Sequence, residues 1–149
     1  MKSNFPMIRL GRPRKWNAVG YTAVTSLFGG IGYGLIEVLW RGYTHPTMIL
    51  TGGGCFFAIC YVNRKFWCVP LAVRTALCTL VVITAELLVG LLVNCVLHMN
   101  VWDYSDTRFH LFGQICLEYS FFWLLICGAL SFTLSLILHE EKKRSNLKK

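Results

Sequence analysis

Four long apolar runs, at about residues 18–40, 46–62, 71–97 and 111–138, are separated by short polar segments. A bilayer core takes about 20 residues of helix, and backbone polar groups cannot be left bare in lipid. Runs of this length therefore restrict the chain to a small set of helical membrane folds. Composition agrees: 55% of the 149 residues are hydrophobic and 15% charged, too apolar for an ordinary soluble domain. The expected fold class is an all-α membrane protein with four transmembrane helices. The expected organisation is a basic tail at 1–17, a transmembrane domain at 18–138 and a second basic tail, disordered, at 139–149. The second run is the shortest and contains Gly52, Gly53 and Gly54, which predicts either a re-entrant segment or a helix packed closely on a neighbour.

The basic residues set the orientation. All 15 except Arg41 and Arg108 fall in the N-terminal tail, between run two and the first turn of run three, or in the C-terminal tail. The positive-inside rule then places both termini and the middle loop in the cytoplasm, with the first and third loops outside. Trp16, Trp40, Tyr43, Trp67, Trp102 and Tyr104 lie near run ends, where interfacial aromatics belong. The net charge of +8 follows from this distribution, so no nucleic-acid partner is expected, and the basic tails are expected to meet anionic membrane lipid. The first run is too long for a signal peptide and ends in EVLWRG (37–42) with no cleavage pattern, so it reads as an uncleaved span.

Seven cysteines, at 55, 60, 68, 78, 95, 116 and 127, form no CxxC pair and have mostly apolar neighbours. They read as small packing residues. No HExxH or similar ligand spacing joins His45, His98 and His110, so no metal site or cofactor is expected.

Carboxylates inside a membrane are costly and are kept for function or for a specific partner. Glu37, Glu86 and Glu118 all fall within the apolar runs. Residues three or four apart share a helix face, so each glutamate has company. Gly30 and Gly34 make a GxxxG face leading through Glu37 to Arg41, with a Glu37–Arg41 pair expected. Glu86, Gly90 and Asn94 recur every four residues, as do Gln114 and Glu118. The expected arrangement turns these stripes inward as an outward-opening polar cluster centred on Glu86, with Asp103 at its mouth. VWDYS (101–105) then becomes a lid over the cluster, with Asp103 and Ser105 either tying the loop back by local hydrogen bonds or facing the cluster.

The stretch from Ile83 to Trp123 resembles the second half of a bacterial membrane family, the type IV or CmpB-like group of ABC-transporter permeases. Glu86 with Gly90, WDYS (102–105), GQICL (113–117), and Ser120 with Trp123 carry the resemblance. GYGLIEVLWRG (32–42) and TGGGCFF (51–57) extend it more loosely, to about residues 25–135 in all. The loop at GYTHPTMIL (42–50) is shorter than the family's, without its Asn-Arg-Gly and Gly-Pro-x-x-Pro stretches. The resemblance implies a multi-pass protein of the bacterial cytoplasmic membrane that serves as a transporter component. No GxxxxGK[ST] phosphate loop is present, so a separate ATPase would have to power it. The two halves also hint at a two-helix repeat.

Three functions are consistent with these residues. A transport component would use Glu86 to bind a proton or cation, with Glu37, Arg41, Asn94, Gln114 and Glu118 along the path. Four helices make a thin wall, so this reading expects a homodimer or another membrane subunit, with the GxxxG face packing either between copies or within one. An outer-leaflet enzyme acting on a lipid or lipid-linked substrate would instead use a glutamate pair or Asp103 as acid and base, held in mutual reach. An accessory or regulatory subunit would turn its polar or small-residue faces toward lipid to meet a partner.

Overall fold

The computed structural model describes residues 18–146; the sequence expectations for 1–17 and 147–149 lie outside the described residues. Four helices form: α1 (Ala18–Arg41), α2 (Pro46–Lys65), α3 (Leu71–Gly90) and α4 (Leu117–Asn146). Each contains a segment long and apolar enough to cross a membrane. An even number of crossings puts the two described ends on one side. The chain is an all-α, multi-pass membrane protein.

Local signals explain the helix boundaries. Gly42 ends α1 in the left-handed region (φ +80°), its N–H donating to Val38 O at 2.8 Å. His45 caps α2, its Nδ1 accepting from the Thr47 N–H, and Pro46 occupies the first helical turn, where a missing N–H costs nothing. Beyond Gly90, α3 continues through Leu91–Val96 as a wider π-helical turn, closed by Leu97 N–H to Leu92 O. A loop at 97–116 follows. It contains a two-residue antiparallel pair, β1 (His110–Leu111) and β2 (Ile115–Cys116), with His110 opposite Cys116.

Helices pack most extensively as α1 on α2 and α3 on α4, with α2 also against α3 and α4. The glycines of α1 and α2 set the first of these contacts. A Cβ on Gly30 would lie 2.7 Å from Ile49 O, and one on Gly53 would lie 2.5 Å from Ser26 O. The second run is thus a continuous, closely packed helix rather than a re-entrant segment. The Gly30/Gly34 face likewise packs within the chain, on Ile49, and is not free to join two copies.

Cys55, Ile59, Cys78, Val82 and Cys127 form the central core of α2, α3 and α4. Five of the seven cysteines are buried free thiols, as expected for packing residues, whereas Cys68 and Cys95 are exposed. Leu35, Leu39, Leu88 and Leu125 face outward, as in a helix that meets lipid.

Two expected boundaries move. Residues 111–116 belong to the loop, not to the fourth span, because Gly113 (φ +66°) and Phe112 (φ 53°) adopt left-handed backbone that a helix cannot contain. The C-terminal polar segment is helical as far as Asn146 rather than a separate disordered tail from 139. Lys142 and Lys143 in that extension suit the negative end of the helix dipole.

Candidate functional site

A cleft of about 630 Å³ lies between α1 and α4, floored by α2 and α3 and closed at one end by the 101–107 loop. α1 supplies Phe28, Tyr33, Ile36, Glu37, Trp40 and Arg41 to one wall. α4 supplies Tyr119, Phe122, Trp123, Ile126 and Leu130 to the other. Tyr33 and Trp123 meet between the two walls, their rings stacked at 5.8 Å and 10°.

Glu86 reaches the cleft from α3. It is 5% exposed, and no basic side chain pairs with it among the described residues. The Trp123 indole N–H lies beside its carboxylate. Glu86 also borders a second, water-sized cavity of about 10 Å³ shared with Tyr33, Thr51 and Trp102. A carboxylate between two spaces with no counter-ion is the least compensated charge in the site.

Glu37, by contrast, is fully engaged. Arg41 Nη1 donates to its Oε1 at 3.0 Å, as the helical spacing predicts, and the Thr44 hydroxyl donates to its Oε2. Arg41 Nη2 donates to Val101 O at 2.9 Å and to the Tyr43 hydroxyl at 3.0 Å. The guanidinium therefore fastens the end of α1 to the 97–116 loop and has little left for an incoming anion.

Asn94 and Gln114 lie beside the cleft and hold its roof. Asn94 Nδ2 donates to Trp102 O (2.8 Å) and Gln114 Oε1 (2.7 Å), while its Oδ1 accepts from the Val101 N–H (2.7 Å). The Trp102 indole donates to Gln114 O at 3.0 Å. Gly90 is small because this network presses on it: a Cβ there would lie 2.5 Å from Gln114 Oε1. Trp102, 4% exposed, is a buried anchor rather than an interfacial aromatic. Neither Asn94 nor Gln114 lines the cleft.

Asp103 stands at the rim. Its Oδ1 accepts from the Ser105 hydroxyl (2.6 Å) and the Ser105 N–H (2.9 Å), the local tie that is one of the two roles open to it in the sequence. The Ser105 hydroxyl, then its N–H, hold the Asp103 carboxyl below the usual aspartate range. A Cβ on Gly113 would lie 2.6 Å from the same Oδ1, so only glycine fits there. Tyr104 stacks on Tyr119 at 4.7 Å. Burial, then the nearby Glu86 charge, push its phenol above the ordinary tyrosine range.

Glu118 departs from the expected cluster. It lies in the first turn of α4, exposed and outside the cleft, because the helix begins at Leu117 and its N-terminal dipole favours a carboxylate there. Glu37, Arg41, Glu86 and Asp103 thus share the cleft, Asn94 and Gln114 brace it, and Glu118 stands apart.

A second polar group, at the end opposite the loop, was not legible in the sequence. Asn63, fully buried, donates to Ile59 O (2.9 Å) and Ser131 Oγ (3.0 Å) and accepts from Arg74 Nη1 (3.2 Å). Arg74 Nη2 donates to Ser135 Oγ at 3.0 Å, linking α3 to α4. The cue was Arg74 inside an apolar run, and charge placement alone assigned it to orientation.

Residues 38–148 match the family model described as "Putative ABC-transporter type IV", well over half of the chain. The chain belongs to this family. The matched part of the type IV family member begins one residue after Glu37 and contains Arg41, Glu86, Asn94, Asp103, Gln114 and Glu118. No curated protein and no solved structure matches the chain.

Proposed function

We propose that this protein is the substrate-handling membrane component of a transporter in a bacterial cytoplasmic membrane. The cleft between α1 and α4 is its substrate site, and Glu86 is the group that takes up and releases a proton or cation. The observation that carries this reading is a 5% exposed carboxylate with no basic partner among the described residues, on the wall of a cleft large enough for a small molecule. Asp103 guards the rim, and Glu37 with Arg41 braces the wall. Asn94 and Gln114 keep the loop end in place, whereas Glu118 has no part in the path.

The acid–base alternative is less well supported, because Glu37 is already held by Arg41 and Thr44, and Asp103 by Ser105, so each is a poor second carboxylate for catalysis. An accessory role is also less well supported, because Glu37, Glu86 and the Gly30/Gly34 face all turn into the chain rather than toward lipid. Energy comes from a separate ATPase subunit, since the chain has no phosphate-binding loop. Membrane vesicles from cells making the wild type or Glu86→Gln test this when energised with ATP and offered a mixture of labelled small molecules. Wild-type vesicles are expected to change their content of at least one compound, and Glu86→Gln vesicles to change none. Identical contents at equal protein levels would contradict the proposal.

A further inference from the structure

We infer that the cleft takes an amphiphilic organic cation, which enters sideways from the bilayer between α1 and α4. The inference rests on the transport reading and names its substrate class. Three independent features converge on it.

The first is the entrance. Phe28 (71% exposed) and Trp40 (72%) on α1, and Phe122 (46%) on α4, border the cleft and also face the surrounding medium, which for these helices is lipid. A ligand with an apolar body can therefore slide in without crossing water. The second is the charge balance. The charge of Arg41 is matched by Glu37 and its Nη groups are held by Glu37, Val101 O and Tyr43, so among the described residues the cleft offers an anion no unmatched positive charge. Glu86 remains as an unmatched carboxylate at the inner wall, and a ligand cation would offset the cost of burying it. The third is the ring content. Tyr33, Trp102, Trp123, Tyr104 and Tyr119 surround the space next to Glu86, and aromatic faces attract organic cations, most strongly where water is excluded. An apolar mouth, an aromatic interior and a buried carboxylate without a basic partner among the described residues together fit an alkyl- or aryl-bearing ammonium or phosphonium better than a fatty acid or a phospholipid phosphate.

The test uses the full chain in lipid nanodiscs with two ions of one shape and opposite charge, radiolabelled tetraphenylphosphonium and tetraphenylborate. The expected result is saturable phosphonium binding, with borate at least about tenfold weaker. Glu86→Gln is expected to weaken phosphonium by a similar factor without weakening borate, and Glu86→Asp to restore part of it. Gly32→Phe provides a second variant that does not depend on the carboxylate. Gly32 lines the cleft, and a Cβ there meets nothing within 4 Å, so the added ring fills the space without moving the backbone. It is expected to abolish saturable phosphonium binding in a folded protein.

Borate binding as tightly as phosphonium would overturn the cation class while leaving the cleft a binding site and the transport reading intact. Saturable phosphonium binding that survives both Glu86→Gln and Gly32→Phe would overturn the inference by placing the ion elsewhere. Absence of saturable binding of either ion to folded wild type would also overturn it, and the vesicle experiment would then decide the transport reading separately.

Discussion

At the scale of single residues, the 97–116 loop depends on a few side chains with several bonds each. Asn94 alone satisfies the Val101 N–H, the Trp102 carbonyl and Gln114 Oε1. Asn94→Ala is therefore expected to cost about 1–3 kcal/mol, read as a lower thermal midpoint in detergent. Gly90→Ala is expected to cost about 1–3 kcal/mol by pushing a methyl group into Gln114 and Trp102. Asp103 gives a pH dependence of known sign. Its folded-state pKa lies below the ordinary 3.8, so its Ser105 tie contributes fully above that value and is lost as pH falls through the lower folded value. Order in the VWDYS loop, followed by amide hydrogen exchange at Ser105, should hold down to about pH 4 and decline below it. Asp103→Asn should show no such acid step. Asn94 and Gln114 were legible as polar residues that matter, but their task was not. Gln114 is four residues before Glu118, which mimics a helical stripe, yet it is delivered by a turn whose left-handed Phe112 and Gly113 precede the helix. Side-chain spacing cannot distinguish those two backbones.

At the scale of elements, small residues and one buried cation set how the helices meet. The GxxxG pattern of α1 was legible, but its partner was not, because glycine contacts depend on which helix arrives alongside. Here that helix is α2, through Ile49. Gly30→Leu and Gly53→Leu are accordingly expected to lower the thermal midpoint while leaving the oligomeric state, measured by light scattering with detergent correction, as in the wild type. A variant that keeps its stability but loses a dimer would place the face between copies instead. Charge placement makes Arg74 an orientation residue, and the structure makes it a link between α2, α3 and α4 as well. Arg74→Ala leaves Asn63 Oδ1 without its donor, at an expected cost of about 1–3 kcal/mol. The four spans themselves were readable because 20 or so apolar residues have few alternatives to a membrane helix. Their ends were less so. The fourth apolar run includes a turn that composition does not mark, and α4 continues past the apolar run into polar sequence.

At the scale of the molecule, four helices leave α1 and α4 far enough apart to admit a ligand-sized space, while Tyr33 and Trp123 bridge them at 5.8 Å. That gap is a property of packing and has no counterpart in the sequence. What the sequence carried was Glu86, out of place in an apolar run, and the fold supplies a reason for it: a wall position where a carboxylate meets a cleft rather than a basic partner. The charges within the cleft are then asymmetric, with Glu37 neutralised by Arg41 and Glu86 left open. Glu86 is expected to exchange its proton when a ligand occupies this space. The most direct measurement is proton release from purified protein in weakly buffered detergent, recorded on addition of lipophilic cations and other candidate ligands to the wild type and to Glu86→Gln. A saturable, ligand-dependent release in the wild type that is absent from a folded Glu86→Gln variant is the predicted result. Equal release from both proteins, or none from either, would contradict the claim that Glu86 is the exchanging group.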